Sequence, residues 1–191
     1  MKNIKDYNLD ALKEELVSMG EKGFRAEQIF KWLYVDKVKS FDEMTNLSLE
    51  LREKLKENYN ICDFSIERKL VSKDGTIKYL FGLGDGNAIE SVLMQYKYGK
   101  SVCVSSQIGC KMGCKFCAST IGGCIRDLTA GEMLGQVYSA MNAVMKEVQT
   151  EQHMDEKAAE KEAIVSNIVV MGTGEPLQNY DNLIRFIKII S

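Results

Sequence analysis

Leu9, Leu12, Leu16 and Met19 recur three or four residues apart, and this spacing predicts an amphipathic helix over residues 9–19, opened by Asn8 as N-cap and closed by Gly20. A second helix is predicted over Arg25–Tyr34 with Ile29, Phe30 and Leu33 inward, and a third over Leu49–Asn58 behind Ser48. Residues 1–60 therefore read as a small helical domain. Its aromatic residues Phe24, Phe30, Trp32 and Tyr34 are read as core packing in preference to a base-stacking surface.

After Ile61 the period falls to two. Alternating runs at 65–71, 77–83, 89–96 and 101–105 are separated by Asp74-Gly75, Asp85-Gly86 and Gly99, which predicts antiparallel hairpins and a β extension over 61–100. From Leu128 the helical period returns through Leu134, Val137, Tyr138, Met141, Val144 and Val148. The polar stretch 149–162, which holds the only histidine, His153, reads as a mobile connection. An apolar run at 167–171 then predicts a strand buried on both faces, followed by Gly172-Thr173-Gly174-Glu175-Pro176 and a helix from about Asp181. Two successive βα units imply an α/β fold with a parallel sheet over 101–191. The last residues, 186–191, stay apolar and helical with no capping glycine, so a truncated product or fragment is expected.

Composition narrows the function classes. The 191 residues suffice for a buried core, and no apolar run approaches the roughly 20 residues that cross a bilayer. Residues 1–6 lack the apolar core of a secretory signal, so a cytoplasmic location without a membrane partner is expected. A reducing compartment turns attention to the six cysteines, five of which lie between Cys103 and Cys124. The net charge of -2 argues against nucleic-acid binding through overall basicity. A local basic surface remains open, since Lys97, Lys100, Lys111, Lys115 and Arg126 occur from 97 to 126 without an acidic residue; a solvated loop is the alternative.

Cys110-Lys111-Met112-Gly113-Cys114-Lys115-Phe116-Cys117 places three thiols within one loop. Tetrahedral zinc could take them with Cys103 or Cys124 as a fourth ligand, but structural zinc sites usually pair two separated CxxC elements, and no second pair exists here. Three thiolates on a 4Fe-4S cluster instead leave one iron open for a cofactor, which is the stronger reading.

The spacing CxxxCxxC with Phe116 before the last cysteine resembles the radical S-adenosylmethionine (SAM) signature, and Gly174-Glu175-Pro176 is similar to the GEP element of that superfamily. The longer segments Cys103-Val104-Ser105-Ser106-Gln107-Ile108-Gly109-Cys110 and Met171-Gly172-Thr173-Gly174-Glu175-Pro176-Leu177 resemble the RlmN/Cfr family, and the helical opening, with Gly23-Phe24-Arg25-Ala26-Glu27-Gln28, resembles its RlmN branch. The resemblance implies a partial (β/α)6 barrel behind a small helical domain and a β extension. It implies methylation of adenosine C2 in 23S rRNA, at the peptidyl-transferase centre, and in tRNA, beside the anticodon. A 4Fe-4S cluster and S-adenosyl-L-methionine are the implied cofactors, with flavodoxin or ferredoxin as electron donor.

By the same resemblance, Cys110, Cys114 and Cys117 match the cluster ligands and Gly174 with Glu175 a SAM-binding pair. Cys103 matches a second reactive cysteine that forms a transient disulfide with the methyl carrier, and Glu90 a proton acceptor. Read without the family, Cys103 is a small buried hydrophobe and Glu90 a surface glutamate. Asp127 and Thr173 stand where relatives often carry other residues, and Cys62 and Cys124 match no role. Nothing in the chain matches the methyl-carrying cysteine, so the chain alone is expected to be inactive. Another radical-SAM enzyme, or a zinc-stabilised nucleic-acid-binding module, are the competing readings.

Overall fold

The computed structural model describes residues 1–62 and 64–191; Asp63, inside the segment assigned to the β extension, lies outside the described residues. The chain opens with β1 (Lys2–Asn3), α1 (Leu9–Ser18), α2 (Arg25–Tyr34), α3 (Leu49–Asn58) and β2 (Tyr59–Asn60). Asn8 and Ser48 cap as the sequence predicts, their side chains accepting the N–H of Ala11 at 2.9 Å and of Leu51 at 3.2 Å. Leu12, Leu16, Ile29, Leu33, Leu51 and Leu55 join in one apolar cluster, flanked by the parallel pair β1–β2. Phe30, Trp32 and Tyr34 pack against it. Phe24 is not part of that packing: it is half exposed, and the Arg25 guanidinium covers its ring, 4.9 Å from the centroid.

The rest of the chain follows as β3 (Ser65–Val71), β4 (Ile77–Gly82), β5 (Ala88–Tyr96), β6 (Gly99–Cys103), β7 (Gln107–Gly109), β8 (Cys124–Asp127), α4 (Ala130–Glu151), α5 (Glu156–Glu162), β9 (Val165–Val169) and α6 (Tyr180–Ile190). The hairpins and the βα units share one five-stranded sheet of order β3-β4-β5-β6-β9, antiparallel except for the parallel pair β6–β9. Tyr79, Phe81, Ile89, Leu93 and Val102 of this sheet form a core with Met133, Leu134, Val137 and Val148 of α4 and Leu183 and Phe186 of α6. The pairings Lys78↔Val92, Leu80↔Glu90 and Val92↔Cys103 place Leu80, Glu90, Val92 and Cys103 on the opposite face, because alternate residues of a strand point to opposite sides.

Two sequence expectations are corrected. Residues 149–162 are not an irregular connection: α4 runs to Glu151, and α5 begins behind Asp155, whose side chain accepts the Ala158 N–H at 2.9 Å. Ala159 and Ala163 are buried in the main core, so this charge-dense segment is an amphipathic helix anchored by two small residues. The strand predicted over 167–171 as buried on both faces is β9, which sits at the sheet edge with Ser166 and Asn167 exposed. The core helices α4 and α6 cover one face of this sheet, so a strand in it is not buried on both faces.

Candidate functional site

The cysteine loop is held between β7 and β8, a separate two-stranded sheet. Its entry is fixed by Cys110 N–H, which donates to Gly123 O at 2.9 Å, and its turn by Cys117 N–H, which donates to Cys114 O at 3.0 Å. The Thr120 hydroxyl donates to Cys117 O at 2.9 Å. Cys110 is buried, Cys117 half-buried and Cys114 exposed, and Phe116 beside them is 94% exposed. Among the described residues no three acidic, histidine or cysteine side chains converge tightly enough to hold a metal ion. The donor set nevertheless fits a cluster, with three free thiols carried on one loop and two of them accessible. Zinc would need a fourth donor; of the two expected from the sequence, Cys103 stands on the main sheet, whereas Cys124 is paired with Gly109 across the β7–β8 hairpin, next to Cys110.

The loop after β9 closes against this element through a continuous set of hydrogen bonds. Thr173 O accepts from Ser106 N–H at 2.9 Å and Gln107 N–H at 3.2 Å, while Thr173 N–H donates to Ser105 Oγ at 2.9 Å. Glu175 N–H donates to Gln107 Oε1 at 2.8 Å, and Gln107 Nε2 donates to Asp127 Oδ1 at 2.7 Å. Asn179 Nδ2 donates to Ser106 O and Leu128 O at 2.8 and 2.7 Å. Gly174 is required here: its φ is 107°, and an added Cβ would stand 2.8 Å from Gln107 N and from Ser106 Oγ. Glu175 Oε1 accepts Leu177 N–H at 3.3 Å. Gln178 Nε2 lies 2.9 Å from Met112 Sδ, so the two loops also touch directly. The β7–β8 hairpin that carries the cysteine loop follows β6 in the chain and the Gly174 turn follows β9, so both elements lie past the carboxyl ends of this parallel pair, where ligands of open α/β sheets bind. Ser106 Oγ is buried without a hydrogen-bond partner beside Gly174.

The family described as "Ribosomal RNA large subunit methyltransferase N-terminal domain" matches residues 2–61. A probable dual-specificity RNA methyltransferase RlmN of Lachnoclostridium phytofermentans is 52% identical over 190 residues, 99% of this chain and 49% of the relative. The corresponding protein of Clostridium novyi is 48% identical over 192 residues, 100% of this chain and 51% of its own length. By sequence, the chain belongs to the RlmN family. A crystal structure of a radical SAM methyltransferase from Sphaerobacter thermophilus matches with a TM-score of 0.79 and 38% identity, over 100% of this chain and 52% of that one. The chain thus spans about half the length of the curated RlmN relatives it matches.

Within this RlmN-family chain, Glu90 and Cys103 share the sheet face opposite the helices, on neighbouring strands. Glu90 is bound to the Lys78 ammonium at 2.8 Å, and its own carbonyl accepts the Ser105 hydroxyl at 2.6 Å. Burial pushes the Cys103 thiol up from its ordinary value, opposed by a hydrogen bond from the Met171 backbone, so the thiol form is favoured there. The basic run is divided. Lys97 and Lys100 lie at the start of β6, at the other end of the strand from the cysteine loop, and Lys100 is paired with Glu162. Arg126 is bidentate to Glu132 and also binds Asp85, which leaves Lys111 and Lys115 as the exposed cations on the loop.

Sequence reasoning overlooked the buried amides. Gln107, Gln136 and Asn179 are all nearly inaccessible, and Gln136 brackets Ser105 by accepting its N–H at 2.8 Å and donating to its O at 2.9 Å. One signal was available: Gln136 lies three residues after Met133 and four before Ala140, on the inward stripe of α4.

Proposed function

We propose that this chain carries the cluster- and SAM-binding part of a radical-SAM enzyme that methylates adenosine C2 in 23S rRNA and in tRNA. The observation that supports it most is the interlock of the cysteine loop with the Gly174–Glu175 turn at the carboxyl ends of β6 and β9. Cys110, Cys114 and Cys117 would hold a 4Fe-4S cluster, which together with SAM supplies the one-electron chemistry that the unactivated C2 carbon requires. Gly174 presents backbone without a side chain, and the Glu175 carboxylate beside it suits an ammonium group such as that of SAM.

On the open sheet face, Glu90 is the group to accept a proton, provided that Lys78 gives up its hold on the carboxylate. Cys103 is the thiol to pair with a methyl-carrying cysteine, which no residue of this sequence matches. The 191 residues alone therefore bind cofactor without methylating RNA. An electron donor such as flavodoxin or ferredoxin completes the requirements.

The test is anaerobic reconstitution with iron and sulfide, then incubation with reductant, labelled SAM and unmodified 23S rRNA or tRNA. A brown protein that cleaves SAM slowly is expected. Appearance of 2-methyladenosine is expected only when the carboxy-terminal half of a curated relative is supplied with it. A colourless protein that retains zinc would overturn the reading, and turnover by the chain alone would overturn the assignment of Cys103.

A further inference from the structure

We infer that Gln107 and Asp127 form a positioning pair that sets where Glu175 stands relative to the cysteine loop. The inference rests on the cofactor-binding role proposed above and extends it to two residues outside the cluster and SAM contacts.

Three observations carry it. The β7–β8 hairpin that frames the cysteines belongs to a different sheet from β6 and β9, so no strand ladder fixes the cysteine loop against the Glu175 turn. That register must come from side chains and loop backbone. Gln107 lies on β7 three residues before Cys110, Asp127 closes β8 on the far side of the loop, and Gln107↔Asp127 is a register pair of this hairpin. The Gln107 amide uses one end on each neighbour, with Oε1 receiving Glu175 N–H at 2.8 Å and Nε2 donating to Asp127 Oδ1 at 2.7 Å. One side chain therefore joins the loop's entry, its exit and the acidic residue.

Burial gives the bridge its stiffness. Gln107 is 1% exposed, so water cannot replace either bond, and losing one leaves a buried group unsatisfied. A carboxamide is also the group suited to this place: it offers an acceptor to the N–H of Glu175 and a donor to the carboxylate of Asp127. Rotation about its terminal bond would face donor to donor and acceptor to acceptor, so Asp127 selects one orientation and thereby presents the oxygen to Glu175. Backbone bonds from Ser106 and Gln107 to Thr173 hold the turn as a whole, whereas among the described residues of the β7–β8 hairpin it is the Gln107 amide that bonds Glu175.

The experiment uses the reconstituted chain in four forms: unmodified, Gln107→Leu, Gln107→Glu, and Gln107→Glu combined with Asp127→Asn. Iron and sulfide per chain, SAM dissociation by equilibrium dialysis, and deuterium exchange over residues 172–177 in the iron-free chain are measured at mildly alkaline pH. Gln107→Glu keeps the acceptor for Glu175 but opposes two carboxylates. Gln107→Leu removes both bonds. Each is expected to weaken SAM binding about tenfold and to speed exchange over 172–177, with iron per chain unchanged. The double substitution reverses donor and acceptor between positions 107 and 127 and is expected to restore both readings.

Unaltered SAM binding and exchange in both single variants would overturn the inference, as would failure of the double variant to recover. Loss of iron in step with SAM would overturn it too, by showing a folding role. An unmodified chain that binds no SAM would count against the proposed function instead, and the exchange measurement still decides the pair.

Discussion

The Asp6 carboxylate accepts the backbone N–H of Gly131 at 2.8 Å, across 125 residues of chain. Gly131 is the second residue of α4, and its N–H is one of the donors that a helix start leaves without an intrahelical partner. Thr129 and Glu132 satisfy two others as a capping box, and Asp6 reaches over from the helical region to satisfy this one. A side chain at Gly131 is excluded by the approach, because its Cβ would stand 2.7 Å from Asp6 Oδ1. The contact ties the amino-terminal segment to the helix that follows the cysteine loop.

Asp6→Ala should lower stability by about 1 kcal/mol, while Asp6→Asn keeps an acceptor and should not. Burial raises the Asp6 pKa, against the hydrogen bonds from Thr129 and Gly131 that lower it. A folded pKa above the unfolded value means that the group's contribution is fully present below the unfolded pKa and is lost as pH rises through the folded one. Unfolding midpoints against pH should therefore show Asp6→Asn gaining on the unmodified chain as the carboxyl ionises. A constant gap across the titration would contradict the assigned cause.

Iron content separates ligands from the other thiols. Cys110→Ala, Cys114→Ala and Cys117→Ala should each lose the cluster, whereas Cys103→Ala, changed on the main sheet, should retain iron and sulfide. Retention in Cys114→Ala with loss in Cys103→Ala would reverse the roles.

Arg126 braces the exit of the cysteine loop. Its guanidinium binds Glu132 at 2.7 and 2.8 Å and Asp85 at 2.6 Å, joining β8 to the start of α4 and to the turn between β4 and β5. Arg126→Ala should cost about 1–2 kcal/mol by chemical denaturation. Although burial opposes the shift, hydrogen bonds from Asn87 and Arg126 bring Asp85 from 3.8 down to about 2. A depressed folded pKa contributes stability above the unfolded value that is lost as pH falls through the folded one. The unmodified chain should accordingly lose stability between pH 3.8 and about 2 more steeply than Arg126→Ala.

RNA affinity should distinguish the two ends of β6. If Lys111 and Lys115 meet phosphates, replacing both with Ala should reduce the slope of log affinity against log salt by about two for an rRNA fragment. Replacing Lys97 and Lys100 should leave that slope unchanged, since they lie at the opposite end of the strand and Lys100 is already paired with Glu162. Equal effects at both ends would require the RNA to cover the whole edge.

Helix positions and caps were legible because they rest on local rules. The leucine spacing of α1, the Asn8 and Ser48 caps and the inward stripe of α4 involve residues within a few positions of one another. The cysteine spacing likewise marked out a candidate site, since three thiols in eight residues admit few uses. Charge density misled at 149–162, where the buried Ala159, with Ala163 just beyond the segment, outweighs the surrounding lysines and glutamates.

Sequence by itself therefore determined most of the helices and strands and singled out three thiols of one loop as candidate donors, all from short-range periodicity and spacing. Only the tertiary structure decided that the hairpins and the βα units form one sheet, that Glu90 and Cys103 share a face, and that Gln107 meets Glu175 across 68 residues. Those relationships arise from strand register and from buried polar groups finding partners, and a partner far along the chain leaves no periodic trace beside either residue.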